Sequence, residues 1–305
     1  MTTQTEHDAA ADRDHLIRVG YRMLGSYSEA EDAVQEAFVR WYRLSESERA
    51  AIDVPLAWMT RVVSRICLDV LGSARARREH YVGQWLPEPV PGRDTSLPSP
   101  DPADRVAQDD SVSLALLIVM DALGPAERVA FVLHDVFALP FDQIALTLDR
   151  SPAACRQLAS AARKHVRTRH AGESDPAEHD RLVRAFAAAS GSGTIAALTA
   201  VLAPEVSLVS DGGGKVSAAR NPVLGSDRVA RFIRGITAKS TELDGSIEPV
   251  NGASGIVFRR AGAVFAVVGF HIAGGVVANV WIVLNPDKLR HWDGTRRQFR
   301  GLRRQ

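Results

Sequence analysis

The sequence predicts three modules in one chain, two all-α and a third α+β. Three observations carry this. Apolar residues recur at helical spacing through about the first 170 residues, a proline-rich stretch interrupts them, and beyond Asp175 the periodicity gives way to β-rich runs between glycine turns. With 305 residues, 46% of them hydrophobic, the chain is long enough to fill two or three separate cores.

Several classes are excluded at once. No apolar run approaches the roughly 20 residues of a membrane span. The N-terminus "MTTQTEHDAAADRDHL" lacks the basic and apolar blocks of a signal peptide. A cytoplasmic chain with no membrane partner is the expectation. The two cysteines, Cys67 and Cys155, lie far apart on separate helical segments, so neither a disulfide framework nor a zinc site is implied. No metal and no cofactor are expected.

The first module begins with Leu16, Gly20, Met23, Leu24 and Tyr27 at helical spacing. Ser28 then reads as the N-cap of "SEAEDAVQEAFVRWYRL", with Glu31 completing a capping box. In this second helix Ala30, Ala33, Val34, Ala37, Phe38 and Trp41 form an apolar stripe. Asp32, Gln35 and Glu36 form a polar patch opposite, read alone as a solvated face. After Pro55, "LAWMTRVVSRICLDVLGSARARRE" is a third amphipathic helix that turns basic towards its end. The module spans about residues 10–80.

A tether follows, with prolines at 87, 89, 91, 98, 100 and 102 that favour extended chain; residues 81–107 are expected to be a flexible linker. Residues 86–110 hold six acids against two arginines, a net charge of −4 between two basic modules. Helices resume over residues 108–172. There "FDQIALTLDRSPAACRQLASAAR" has the spacing of a helix-turn-helix: Ala145 at a close approach, a turn at Asp149, Ser151 as N-cap and Pro152 at the first helical position. Cys155, Leu158, Ala159, Ala162 and Val166 make its inner face, and Arg156, Gln157, Ser160, Arg163, Lys164 and Arg167 the outer one. Arg and Gln there can pair with guanine and adenine in a major groove; a solvated basic face is the alternative.

The third module, residues 176–292, opens with two helices. "EVSLVS", a glycine-rich turn, "KVSAA", a helix near residues 226–238 and three β-rich runs follow, a mostly antiparallel α+β arrangement. Residues 293–305 are a basic tail, either solvated or a weak DNA arm.

The order and spacing of these segments over residues 12–170 resemble the extracytoplasmic-function (ECF) class of bacterial RNA polymerase sigma factors. The resemblance implies region two, a linker and a helix-turn-helix region four. It implies core RNA polymerase as partner, through the β′ clamp and the β subunit, with Asp32, Gln35 and Glu36 docking on β′. Promoter DNA is the other implied partner. Trp58, Arg61, Arg65, Arg75, Arg77 and Arg78 match the part that opens and reads the minus-ten element, although Trp58 equally reads as a core residue. Ser151, Arg156, Gln157, Ser160, Arg163, Lys164 and Arg167 match the minus-35 reader. The tether is long enough for both elements to be held at once. Its roughly 25 residues at about 3.3 Å reach about 80 Å, and about twenty base pairs at 3.4 Å span about 70 Å.

The remaining residues resemble the cone-shaped SnoaL-like fold shared with nuclear transport factor two (NTF2) and ketosteroid isomerase. Sigma factors with this fused domain carry three motifs that stand here intact: "WLPEP" (Trp85, Leu86, Pro87, Glu88, Pro89), "DGGGK" (Asp211, Gly212, Gly213, Gly214, Lys215) and "NPDKL" (Asn285, Pro286, Asp287, Lys288, Leu289). The expectation is that Trp85 and Leu86 anchor the linker under a regulatory third domain. Lys215 and Asp287 would register the linker or close the domain's mouth. The alternative is a ligand-sensing or isomerase/cyclase-like module using Asp211, His271 or Asp287; with no second acid identifiable by spacing, no enzyme activity is expected.

Overall fold

The structure, a computed structural model, describes residues 2–78, 81–92, 113–169, 174–239 and 242–292. The chain divides into two compact units, Met1–Glu79 with Val119–Arg169, and His80–Ile118 with His170–Gln305. Residues 81–92 of the linker therefore group with the third domain.

The first unit contains α1 (Thr2–Leu24), α2 (Tyr27–Arg43), a one-turn α3 (Glu46–Ala50) and α4 (Pro55–Arg78). After α5 (Leu114–Asp121), in which the division between units falls, come α6 (Pro125–Phe131), a π-helical turn (Val132–Val136), α7 (Phe141–Leu148) and α8 (Pro152–Arg169). Gly25, at φ 70°, ends α1, and Ser26 caps α2, its Oγ accepting the Glu29 N–H at 3.3 Å. The cap expected at Ser28 thus lies two residues earlier. Gly20 lets α2 approach closely: a Cβ there would lie 3.1 Å from the Ala30 Cβ. The Met23 carbonyl at the end of α1 is met by the buried Arg128, which also donates to Asp121 at 2.8 Å.

Between α7 and α8 Asp149 adopts φ 52°, a left-handed conformation that aspartate tolerates. Ile144, Ala145 and Leu148 meet Cys155, Ala159, Ala162 and Val166 in the buried seam, while Leu158 is only partly covered. Cys67 and Cys155 are buried free thiols, and burial pushes both upward in pKa.

In the second unit α9 (Pro176–Ser192) and α10 (Ile195–Val201) precede β1 (Leu202–Asp211), a two-residue β2 (Val223–Leu224) and α11 (Ser226–Ala238). Four strands follow where three β-rich runs were expected: β3 (Asp244–Val250), β4 (Ala253–Arg260), β5 (Ala263–Ala273) and β6 (Val276–Val283). "KVSAA" forms turn and loop. The sheet order is β2-β1-β6-β5-β4-β3, with β1 and β6 parallel and the other pairs antiparallel.

Alternation along the strands gives this sheet two apolar faces. On one, Leu208, Ile256, Val268, Phe270 and Val280 pack with α9, α10 and α11 through Phe186, Leu198 and Ile233. On the other, Val257, Val267, Trp281 and Val283 are covered by Leu86 of the linker, Leu114 of α5, Leu289 and Trp292. A sheet apolar on both faces needs two covers. The linker is part of the second, so residues 81–92 are held in place rather than acting as a flexible tether.

Candidate functional sites

Residues 81–92 run extended along the second sheet face. Prolines at every second position from 87 to 91 fix φ and remove donors. Around these prolines the N–H groups of Leu86, Val90 and Gly92 find acceptors: Asp211 Oδ2 at 3.0 Å, Asn251 Oδ1 at 3.1 Å and the Pro249 carbonyl at 2.9 Å. The Asn251 N–H returns a bond to the Val90 carbonyl at 3.0 Å, and the Trp292 indole N–H donates to the Pro89 carbonyl at 2.8 Å.

The centre of this clamp is Asp211, which strand alternation turns towards the linker and which is fully buried. Its Oδ1 accepts the Tyr81 hydroxyl at 2.6 Å and the Gly213 N–H at 3.0 Å; besides Leu86 N–H, its Oδ2 accepts Lys288 Nζ at 2.7 Å. Lys288 Nζ also donates to the Leu86 carbonyl, so one ion pair grips both polar groups of Leu86. The same ammonium lies 4.3 Å from the Trp85 ring centroid and 5.2 Å from that of Tyr81. Burial, then the Asp211 carboxylate, pushes the Tyr81 phenol upward in pKa, keeping it a donor; Asn285 Nδ2 donates to its oxygen at 2.9 Å.

All three motifs meet here, with Leu86 in the expected place and some of the other roles redistributed. Leu86, not Trp85, is the deeply buried anchor, while Trp85 is half-covered beneath Lys288. Pro87, Glu88 and Pro89 are buried with it, and Glu88 Oε1 lies 3.5 Å from His291 Nε2. Lys215 and Asp287 pair with each other at the surface instead of holding the linker. The Lys215 hydrogen bond, followed by that of Arg290, keeps the Asp287 carboxyl below its usual range. Registration of the linker falls to Asp211 and Lys288. Pro286 opens the short 3-10 turn Pro286–Lys288 that aims Lys288 inward, and Leu289 joins the sheet-face cluster. Tyr81, Asn251 and Trp292 escaped sequence reasoning; aromatic residues flanking the first and third motifs were the available signal.

The glycines of "DGGGK" are sterically required. Gly213 sits at φ 59° with its would-be Cβ 2.3 Å from Asn285 Nδ2, and a Cβ on Gly212 would lie 2.1 Å from the Val216 carbonyl oxygen. Gly214 lies beside Val82 and is exposed. Gly213→Ala is expected to destabilise the intact chain by about 1–3 kcal/mol in denaturant unfolding, from overpacking and from backbone strain.

In the first unit the helix-turn-helix places Ser151, Arg156, Gln157, Ser160, Arg163, Lys164 and Arg167 on its exposed side. Ser151 Oγ accepts the Ala154 N–H at 3.2 Å, the cap expected of it. The Arg156 guanidinium rests 5.5 Å from the Phe141 ring centroid, and Arg163 lies 3.2 Å from Asp135, whose carboxyl is pushed up by burial. On α2, Asp32, Gln35 and Glu36 are exposed, with Glu36 bonded to Arg40 at 3.0 Å. On α4, Trp58 is partly buried against Trp41 at 5.3 Å, Arg61 is exposed, and Arg65 Nη1 donates to the Thr147 carbonyl at 2.9 Å. The side chains of Arg75, Arg77 and Arg78 lie outside the described residues, as do linker residues 93–107 and the tail 293–305.

The residues of the catalytic alternative are each engaged elsewhere. Asp211 is saturated by the linker clamp, and Asp287 is in its surface pair. His271 Nδ1 bonds to Asn279 Oδ1 at 3.0 Å. His271 lines a cavity of about 320 Å³ with Leu114, His179, Val250, Ser254 and Phe270, whose described lining includes no carboxylate.

Residues 10–78 match the Sigma-70 region 2 model and residues 113–166 the Sigma-70 region 4 model. The chain is 40% identical over 289 residues to the ECF RNA polymerase sigma factor SigJ of Mycobacterium tuberculosis, covering 90% of each chain. It is 38% identical over 284 residues to the probable ECF sigma factor SigI of the same organism, covering 92% of each. The crystal structure of SigJ superposes with a TM-score of 0.73 at 37% identity, covering 92% of this chain and 97% of that one.

Proposed function

Because the chain belongs to the ECF RNA polymerase sigma factor family, we propose that it directs core RNA polymerase to bipartite promoters while its fused SnoaL-like domain sets activity by holding the linker. In this reading the exposed α2 face of Asp32, Gln35 and Glu36 docks on the β′ clamp. The α4 helix, with Trp58, Arg61 and Arg65 and continuing through Arg75, Arg77 and Arg78, engages the minus-ten element. The outer face of α8 reads the minus-35 element as duplex.

The observation that carries the regulatory part is the clamp on residues 81–92: the segment joining the two promoter-reading regions is built into the third domain's sheet face through Asp211, Lys288, Asn251 and Trp292. Anything that loosens the clamp lengthens the chain available between those regions.

Base reading by α8 is tested with Arg156→Ala. Promoter binding by the holoenzyme should weaken by about 1–3 kcal/mol and become less selective at one minus-35 position. Measurement is by competition among promoters substituted position by position. Equal losses on every sequence would reduce Arg156 to a phosphate contact.

A further inference from the structure

We infer that the third domain carries its own DNA-backbone contact, a basic surface on the outward side of α11, with Arg220 as a further exposed cation of the same domain, which takes promoter phosphates. Residues 220–239 hold five cations, Arg220, Arg228, Arg231, Arg234 and Lys239, against one acid, Asp227. All five are exposed. Val229, Ala230 and Ile233 bury the opposite side of the helix, so the register that seats α11 on the sheet also turns Arg228, Arg231 and Lys239 outward.

The pairing pattern separates this surface from an ordinary solvated helix. On α9 the exposed arginines are matched by acids one turn away: Arg184 pairs with Asp180 at 2.8 Å and Arg181 with Glu178 at 3.4 Å. On α11 only Arg231 is matched, by Asp227 at 2.8 Å. Arg220, Arg228, Arg234 and Lys239 have no carboxylate at ion-pair distance among the described residues. Arg228 moreover stands in the first helical turn, where the helix dipole disfavours a cation. Its charge does not serve the helix.

From Arg228 to Lys239 the helix rises about 16 Å, about five steps of 3.4 Å along one DNA strand. Gly235 lies between them with open space where a side chain would be, which leaves the surface low enough for a backbone to approach. The carbonyl of Arg220 accepts Gln84 Nε2 at 3.3 Å, so this cation stands beside the clamped linker. A polyanion is the partner that a stretch of unmatched cations of this length fits, and for a sigma factor that polyanion is duplex DNA. Phosphate contacts of this kind carry no sequence preference. They would make the third domain's hold on the linker sensitive to whether promoter is present.

This inference rests on the promoter-binding reading above, and the test separates the two. Holoenzyme made with the full chain is titrated onto promoter and scrambled duplexes across a KCl series, with fluorescence anisotropy as readout. The parental chain is compared with R220Q/R228Q/R234Q/K239Q and with R181Q/R184Q, which removes the matched arginines of α9. The four-fold variant is expected to bind both duplexes about ten-fold or more weakly near 0.1 M salt, with the slope of log K against log salt smaller by about 2–4; R181Q/R184Q is expected to match the parent. Equal slopes for all three chains, or an equal fall in both variants, would overturn the assignment. So would a four-fold variant that binds DNA normally but loses core polymerase, since the surface would then face an acidic protein. A parental holoenzyme that does not distinguish promoter from scrambled duplex would instead count against the promoter-binding reading. Circular dichroism of each free chain verifies that the variants are folded.

Discussion

Asp211→Ala is expected to lower the stability of the linker-bearing unit by about 3–5 kcal/mol. The carboxylate is fully buried and receives four donors: the Lys288 ammonium, the Tyr81 hydroxyl and the N–H groups of Leu86 and Gly213. Truncation leaves Lys288 charged, nearly buried and without its carboxylate, and it strands the Leu86 N–H. That asymmetry decides the magnitude, because an orphaned buried charge costs far more than the pair contributes. The double variant Asp211→Asn with Lys288→Met should recover part of the loss. The charge is then removed on both sides while the lysine stem is replaced by a similar apolar one. Amide hydrogen exchange at Leu86 and Val90 in the intact chain reads the result locally. Fast exchange in the single variant and slower exchange in the double variant are expected; protection unchanged in Asp211→Ala would show that the clamp is held elsewhere.

Trp292→Ala should be comparably severe, at about 3–5 kcal/mol. The indole is buried in the cluster of Leu86, Val267, Trp281 and Leu289 over the second sheet face, and its N–H is bonded to the Pro89 carbonyl. Trp292→Phe separates the two contributions. It retains most of the ring area and loses the hydrogen bond, for an expected cost of about 1–3 kcal/mol. Denaturant unfolding of the two variants checks the order; a phenylalanine variant as unstable as the alanine one would make the hydrogen bond, rather than packing, the dominant contribution.

Much of the architecture was legible because it follows from periodicity. The helix expected near residues 226–238 is α11, Ser226–Ala238, and the turn at Asp149 lies where the two helices of the helix-turn-helix part. The N-cap of α2 was misplaced because Ser26 and Ser28 are both competent caps, their hydroxyls 3.1 Å apart, and the choice is made by where Gly25 ends the preceding helix. The clamp was legible as a set of motifs and not as a set of roles. Along extended chain, neighbours point to opposite sides, so one of Trp85 and Leu86 had to be buried and the sequence does not say which. Asp287 and Lys288 pose the same problem on a 3-10 turn: one points to solvent and Lys215, the other to Asp211. Only the register of that turn on the sheet decides. The second apolar sheet face went unread, although the runs of β5 and β6 are apolar at both parities and such strands require a cover on each side.

If the third domain sets promoter activity through its grip on the linker, releasing residues 81–92 must change transcription. This is read from transcript yield with core polymerase on one promoter and three chains: the full chain, Asp211→Ala, and a chain ending after Arg169. Asp211→Ala and the truncation are expected to shift the yield several-fold in the same direction, since the first removes the carboxylate that holds Leu86 and the second removes the domain that carries it. Three equal yields would refute regulation through the linker, and would leave the clamp as a feature of folding alone.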